Sequence, residues 1–208
     1  MRIASLVVLC LALAVIPASA QTLYSNGPIN GTTDAWTINF GYIVSDTFAL
    51  TAEFNTVTGF DFGVWEFPGD VLSSVDWSIT SGENGGNVYG SGTASGVNLT
   101  DTFISSNQYA YNIDSISVTG LNVSLEPGTY WLNLQNATVP SGDPVYWDEN
   151  SGPSQASESS VGTIPPEAFD IVSCQSTNCG QPSTPEPGSI ILFGSGVLGL
   201  AGVLRRKL

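Results

Sequence analysis

An all-β fold, an antiparallel β-sandwich of jelly-roll type, is what this sequence predicts. Three observations point to it. Apolar and polar residues alternate with period two through the middle of the chain. Turn-forming residues interrupt that alternation at roughly ten-residue intervals, as short strands require. No segment carries a sustained helical stripe, and Ser, Thr and Asn, poor helix formers, make up about a third of the chain between Gln21 and Thr184. A closed barrel is the alternative architecture.

From the N-terminus, Arg2 precedes an apolar run from Ile3 to Ile16, followed by Pro17 and Ala18-Ser19-Ala20. A basic start, an apolar stretch too short to remain as an anchor and a small-x-small end describe a secretory signal peptide, residues 1–20, cut after Ala20.

The body begins at Gln21. Trp36, Ile38 and Phe40 alternate with Thr37 and Asn39, and Phe48, Leu50, Ala52 and Phe54 alternate with Thr47, Thr51 and Glu53. Each run reads as a half-buried strand. Next, Phe60, Phe62 and Val64 share one face while Asp61, Gly63 and Trp65 share the other. Phe67-Pro68-Gly69-Asp70 predicts a turn, because Pro presets φ and Gly accepts a positive φ. Val75, Trp77 and Ile79 form another strand before the turn-rich Ser81 to Asn87. Tyr109, Tyr111 and Ile113 are followed out of phase by Ile116 and Val118, which predicts a bulge at Asp114-Ser115. Leu121, Val123 and Leu125 lead through Glu126-Pro127-Gly128 into Tyr130, Leu132 and Leu134. Asp143 to Pro166, dense in Gly, Pro and Ser, reads as a long surface loop before a last strand at Ala168 to Val172. The domain so defined spans residues 21–174. Cys174 and Cys179 follow at a spacing that, in an exported chain, predicts a disulfide closing a small loop. Residues 175–187 comprise that loop and a Pro/Ser/Thr linker.

Charge is distributed unevenly. All four basic residues, Arg2, Arg205, Arg206 and Lys207, lie near the ends, while the chain between Gln21 and Thr184 holds 17 acidic residues and no Lys, Arg or His. Such a body has no Schiff-base lysine, no Ser-His-Asp or Cys-His site and no His-ligated metal. With no cation to offer a phosphate backbone, it is expected not to bind nucleic acid.

The C-terminus runs Pro185-Glu186-Pro187, then Gly188 to Leu204 without a charge, then Arg205-Arg206-Lys207. As a helix the uncharged stretch would reach roughly 25 Å, near the lower limit for a bilayer, and the basic cluster would stay cytoplasmic. Residues 188–208 are therefore expected to form a single transmembrane segment with a basic tail. A Pro-Glu-Pro box, a short membrane segment and a terminal basic cluster, on a chain with a signal peptide, resemble a PEP-CTERM sorting signal. The resemblance implies a bacterial exported protein processed by an exosortase, a membrane transpeptidase-like enzyme, and associated with exopolysaccharide and biofilm at the cell envelope, cell surface or extracellular matrix. It assigns Pro185, Glu186 and Pro187 to recognition and Arg205, Arg206 and Lys207 to the stop. Gly188 stands where the family often has Ser or Thr.

Three chemistries remain for the body. Paired carboxylates could support glycoside hydrolysis, but no motif selects a pair, and the odd spacing of Asp61 and Glu66 puts them on opposite faces of a strand. Calcium is the one cofactor suggested, through Asp143, Asp148 and Glu149 in an oxygen-rich stretch. Carbohydrate is the third, through stacking on Trp65, Trp131 or Trp147. The expectation is a non-enzymatic exported surface or matrix protein with no catalytic residues; the alternatives are a carbohydrate-binding module, calcium-dependent or not, and a carboxylate-based glycosidase.

Overall fold

The computed structural model describes residues 20–51 and 55–174. Their regular structure is thirteen strands and one 3-10 turn at Gly96–Asn98. In chain order the strands are β1 (Ala20–Ser25), β2 (Ala35–Thr37), β3 (Ile43–Leu50), β4 (Asn55–Glu66), β5 (Ser74–Gly82), β6 (Gly85–Ser95) and β7 (Leu99–Ser106). Then follow β8 (Asn112–Leu125), β9 (Gly128–Thr138), β10 (Tyr146–Asp148), β11 (Ala156–Glu158), β12 (Gly162–Ile164) and β13 (Phe169–Cys174). Every pairing is antiparallel, in two sheets.

The six-stranded sheet runs β12-β11-β3-β9-β5-β6. The seven-stranded sheet is built on β4, whose one edge pairs with β8 over nearly its whole length while β13 and β10 share the other in tandem. Alternation decides which side chains meet between the sheets. Phe60, Phe62 and Val64 from β4 and Ile116 and Val118 from β8 pack against Phe48, Ile79, Leu132 and Leu134 of the other sheet. This single interior, closed by Trp147 and Phe169, is the core.

Several elements differ from the sequence expectation, each for a physical reason. The strand expected at Trp36 to Phe40 ends at Thr37, because Phe40 adopts φ 57° in a turn with Gly41 and stands 64% exposed. Strands β6 and β7, without counterpart in the expectation, lie at the edges of the two sheets with most side chains in solvent, so no apolar alternation marks them. No bulge separates Asp114 from Ser115, since β8 stays in register with β4 from Asn112 to Thr119. The change of phase there has another cause: Ile113 is buried on the outer face and Ile116 on the inner one. The bulge of β8 comes later, at Gly120 with φ 81°.

Asp143 to Pro166 is the largest correction. It is not a surface loop but a strap that supplies β10 to one sheet and β11 and β12 to the other, with Val145, Trp147, Asp148, Ala156 and Ser157 buried. Its short strands bury polar and apolar residues together, which conceals them from a hydrophobic pattern. The Phe67–Asp70 turn forms as its residues dictate, with the Asp70 amide donating to the Phe67 carbonyl and Gly69 at φ 100°. Residues 1–19 of the expected signal peptide, the expected membrane segment at 188–208 and Cys179 lie outside the described residues. Among the described residues no helix is long and apolar enough to cross a membrane.

Candidate functional site

The outer face of the seven-stranded sheet is covered at its centre. Trp65 lies opposite Ile113 on one side and Tyr146 on the other, so all three share that face, and Asp148 follows two residues after Tyr146. The segment Asn26 to Thr32 crosses above them. Glycine at position 63 permits this, since a Cβ there would come within 2.8 Å of Ile29 Cγ2 and 3.0 Å of Asp148 Cβ. The Asn30 amide donates to Asp148 Oδ2 at 2.8 Å, while the Gly31 amide and Trp65 Nε1 donate to Oδ1 at 2.9 and 2.6 Å. Burial pushes the Asp148 carboxyl upward and these three hydrogen bonds oppose it. The result is a clamp that fixes the Trp65 ring and the crossing segment in one position.

Trp65 supports a cluster of aromatic rings. Tyr109 stacks on it at a centroid distance of 6.0 Å and an interplanar angle of 24°, and Tyr111 packs beside it at 5.9 Å. Tyr111 also meets Phe67 and Tyr146 edge-on. Tyr109 is 57% exposed and Phe67 36%, so this cluster reaches solvent. The turn that presents Tyr109 is tied by Asn107, whose Oδ1 accepts the amides of Tyr109 and Tyr111 at 3.0 and 3.1 Å. Asn107 Nδ2 is buried with no hydrogen-bond partner.

Next to the rings is a cleft of about 370 Å³ between the two segments. Asn30, Thr32, Ser105, Ser106, Asn107 and Gln108 line it around Ile113, and none of these side chains is ionisable. The Tyr146 hydroxyl nearby is pushed up to about 12, chiefly by burial and then by its hydrogen bond with Tyr111, and so keeps its proton. Amides, hydroxyls and ring faces without charge are the chemistry that suits a neutral, polyhydroxylated ligand.

The interior carries a second chemistry. Asp46 keeps the phase of Val44, Phe48 and Leu50, and Glu66 that of Phe60, Phe62 and Val64, so both acids point inward. Burial pushes Glu66 up to about 8, aided by the charges of Asp101, Asp114 and Asp70. It pushes Asp114 up to about 6, with Asp101 contributing, and Asp46 up to about 7 despite hydrogen bonds from Ser154, Glu167 and Thr47. Fully buried Glu167 is raised well above its ordinary value, first by burial and then by Asp46 and Glu149. An acid in the apolar phase of a strand was the sequence signal for Asp46 and Glu66.

Beyond the sandwich the chain continues to the proline box, the uncharged stretch and the basic end. Residues 183–207 match the PEP-CTERM protein-sorting motif. The PEP-CTERM motif indicates an exported, cell-envelope-targeted bacterial protein, with an exosortase as its processing partner. It takes in Pro185, Glu186 and Pro187 together with Arg205, Arg206 and Lys207. No curated protein matches the chain.

The residues singled out from sequence are dispersed within the body that precedes this motif. Trp65 and Trp147 sit on adjacent strands but on opposite faces, as Trp147 pairs with Val64 and is wholly buried, donating Nε1 to the Ala168 carbonyl. Neither ring offers a face to solvent; Trp65 lends its face to Tyr109. Trp131 is half-buried on the outer face of the other sheet, opposite Thr47 and Thr80. Asp143 precedes β10, Asp148 faces outward from it, and Glu149 faces inward and accepts from Trp36 Nε1 at 3.3 Å. Alternation thus separates the suggested calcium ligands, and among the described residues no three acidic side chains are placed to hold a metal. Asp61 and Glu66 do fall on opposite faces of β4. The pairing of Cys174 with Cys179 lies outside the described residues.

Proposed function

We propose that this is a non-enzymatic protein of the bacterial cell surface or extracellular matrix, an acidic β-sandwich delivered by its PEP-CTERM signal and associated with exopolysaccharide. The observation that carries the reading is the sorting motif at residues 183–207, joined to a body without Lys, Arg or His. Intact-mass measurement on protein from exosortase-competent cells should find a chain ending near the Pro185-Glu186-Pro187 box. In cells lacking the exosortase, or with the box replaced by alanines, the chain should still end at Leu208. A chain running to Leu208 in competent cells defeats the proposal.

The second reading, a carbohydrate-binding module, is favoured by one specific feature: exposed Tyr109 stacked on clamped Trp65 beside an uncharged amide cleft. Ring stacking supplies apolar contact to a sugar face, and the amides supply hydrogen bonds that orient it. Tyr109→Ala should weaken binding to the organism's own exopolysaccharide by roughly tenfold. Trp131→Ala, on the opposite sheet, should leave it unchanged. Equal binding by wild type and Tyr109→Ala would remove this reading, and repeating both titrations in EDTA tests calcium dependence.

A further inference from the structure

At one place in the interior the two sheets bring acid towards acid. Asp46 projects inward from β3, since its cross-strand neighbours Leu132 and Ala156 are both core residues. From the other sheet Glu167 projects inward too. It bridges Glu149, which keeps the inward phase of Trp147, and Phe169, two residues further on, is in the core. The Glu167 amide donates to Asp46 Oδ2 at 2.7 Å, which places the Asp46 carboxylate at the root of the Glu167 side chain.

Three carboxylate oxygens here are buried without a hydrogen-bond partner: both of Glu167 and Oδ1 of Asp46. Neither Glu167 oxygen receives a donor, although the Ser154 hydroxyl lies beside Asp46. Asn26 Nδ2 serves Asp46 Oδ2, Ser154 Oγ and the Glu167 carbonyl, and Trp36 Nε1 serves Glu149. No Lys, Arg or His exists between Gln21 and Thr184 to supply a counter-charge. A buried carboxylate with neither hydrogen bonds nor a partner charge is among the costliest groups a fold can contain.

We propose that Asp46 and Glu167 hold a hard divalent cation, with calcium the ion that fits an all-oxygen donor set. Two carboxylates balance its charge, and neutral oxygens and water complete its shell, in keeping with the lack of a third converging acid. The ion would tie β3 to the segment entering β13, the strand that leads to the sorting tail. Modules exposed to the outside of cells commonly bind calcium at roughly 0.1–1 mM, a concentration met after export.

The test uses the exported protein as cells deliver it, stripped with EDTA and returned to calcium at pH 7.5. Calcium at about a hundredfold excess over Kd should raise Tm by roughly 5–10 °C, and terbium should show luminescence sensitised through tryptophan, displaced by calcium at one ion per chain. Asp46→Asn and Glu167→Gln each remove a buried charge and should fold, yet lose both signals; Glu126→Gln, on the surface, should keep them. A Tm indifferent to calcium overturns the proposal and leaves protons as the only neutralising agent. An equal calcium response in wild type, Asp46→Asn and Glu167→Gln overturns it as well, assigning the effect to surface charge.

Discussion

Asp148→Leu is expected to lower stability by about 3–5 kcal/mol, enough to cost roughly 10 °C or more in Tm. Leucine is close in size, so the loss is not one of volume. It follows from the three donors that converge on the carboxylate, the Asn30 and Gly31 amides and Trp65 Nε1, which would be left buried without acceptors. Removing the acceptor exposes the full desolvation cost of each donor, whereas the bonds themselves are worth less in net terms. Asp148→Asn retains one oxygen but turns an NH2 towards a donor, and should cost about half as much. Tm and Trp65 fluorescence read the result together, since loosening the clamp frees the indole. A Tm within 2 °C of wild type for Asp148→Leu would show that the clamp does not hold the crossing segment. Because the same clamp sets the Trp65 ring under Tyr109, a partly folded Asp148→Asn protein should also lose glycan affinity.

In calcium-free buffer, stability should fall as pH rises from about 5 to about 8, the reverse of ordinary acid sensitivity. The sign follows from which state ionises first. Glu66, ordinarily at 4.5, is pushed up to about 8, Asp46 from 3.8 up to about 7, and Asp114 from 3.8 up to about 6. Below the ordinary values both folded and unfolded chains keep these protons, and the stabilisation is fully present. Above them the unfolded chain releases protons that the folded chain still holds, so the balance moves towards unfolding until the folded groups ionise as well. Glu66 alone accounts for something on the order of 2–3 kcal/mol after allowance for solvent screening.

Glu158 sets the acid limit of this window. Burial raises it, but hydrogen bonds from Ser160 and Ser159 outweigh that and hold it below its ordinary 4.5, so its contribution is lost as pH falls through that range. Maximum stability should therefore lie at mildly acidic pH. A series of Tm measurements across this range checks the slope, and a flat or rising profile between pH 5 and 8 contradicts it. Glu66→Gln should raise Tm at pH 8 by several degrees and flatten the profile, because the amide stays neutral throughout.

Much of the fold was legible from side-chain phase alone. Phe48 and Leu50, Phe60, Phe62 and Val64, and Leu132 and Leu134 alternate with polar neighbours, and burial follows that alternation where one face meets the core and the other meets water. The pattern failed where that premise failed. Strands β6 and β7 leave most of their side chains in solvent, whereas Ile113 and Trp65 are buried on the outer face of their sheet, away from the core. The aromatic and amide site was only partly visible. Trp65 was singled out, but Tyr109, Tyr111 and Asn107 are local turn residues whose meaning depends on a neighbour more than forty positions away in sequence.

The sequence by itself determined the all-β class and the separation of every basic residue from the acidic body. It also determined the sorting tail, because composition, period and a contiguous motif are local properties. Only the tertiary structure decided that residues 143–166 are a buried strap, that Trp147 is core and that Asp148 is a clamp. It alone decided that Asp46 and Glu167 share the interior, since they stand 121 positions apart and are joined by the closing of one sheet upon another. Long-range juxtaposition of polar groups leaves no periodic trace in a chain, and burial of their charges is settled only when the sheets pack.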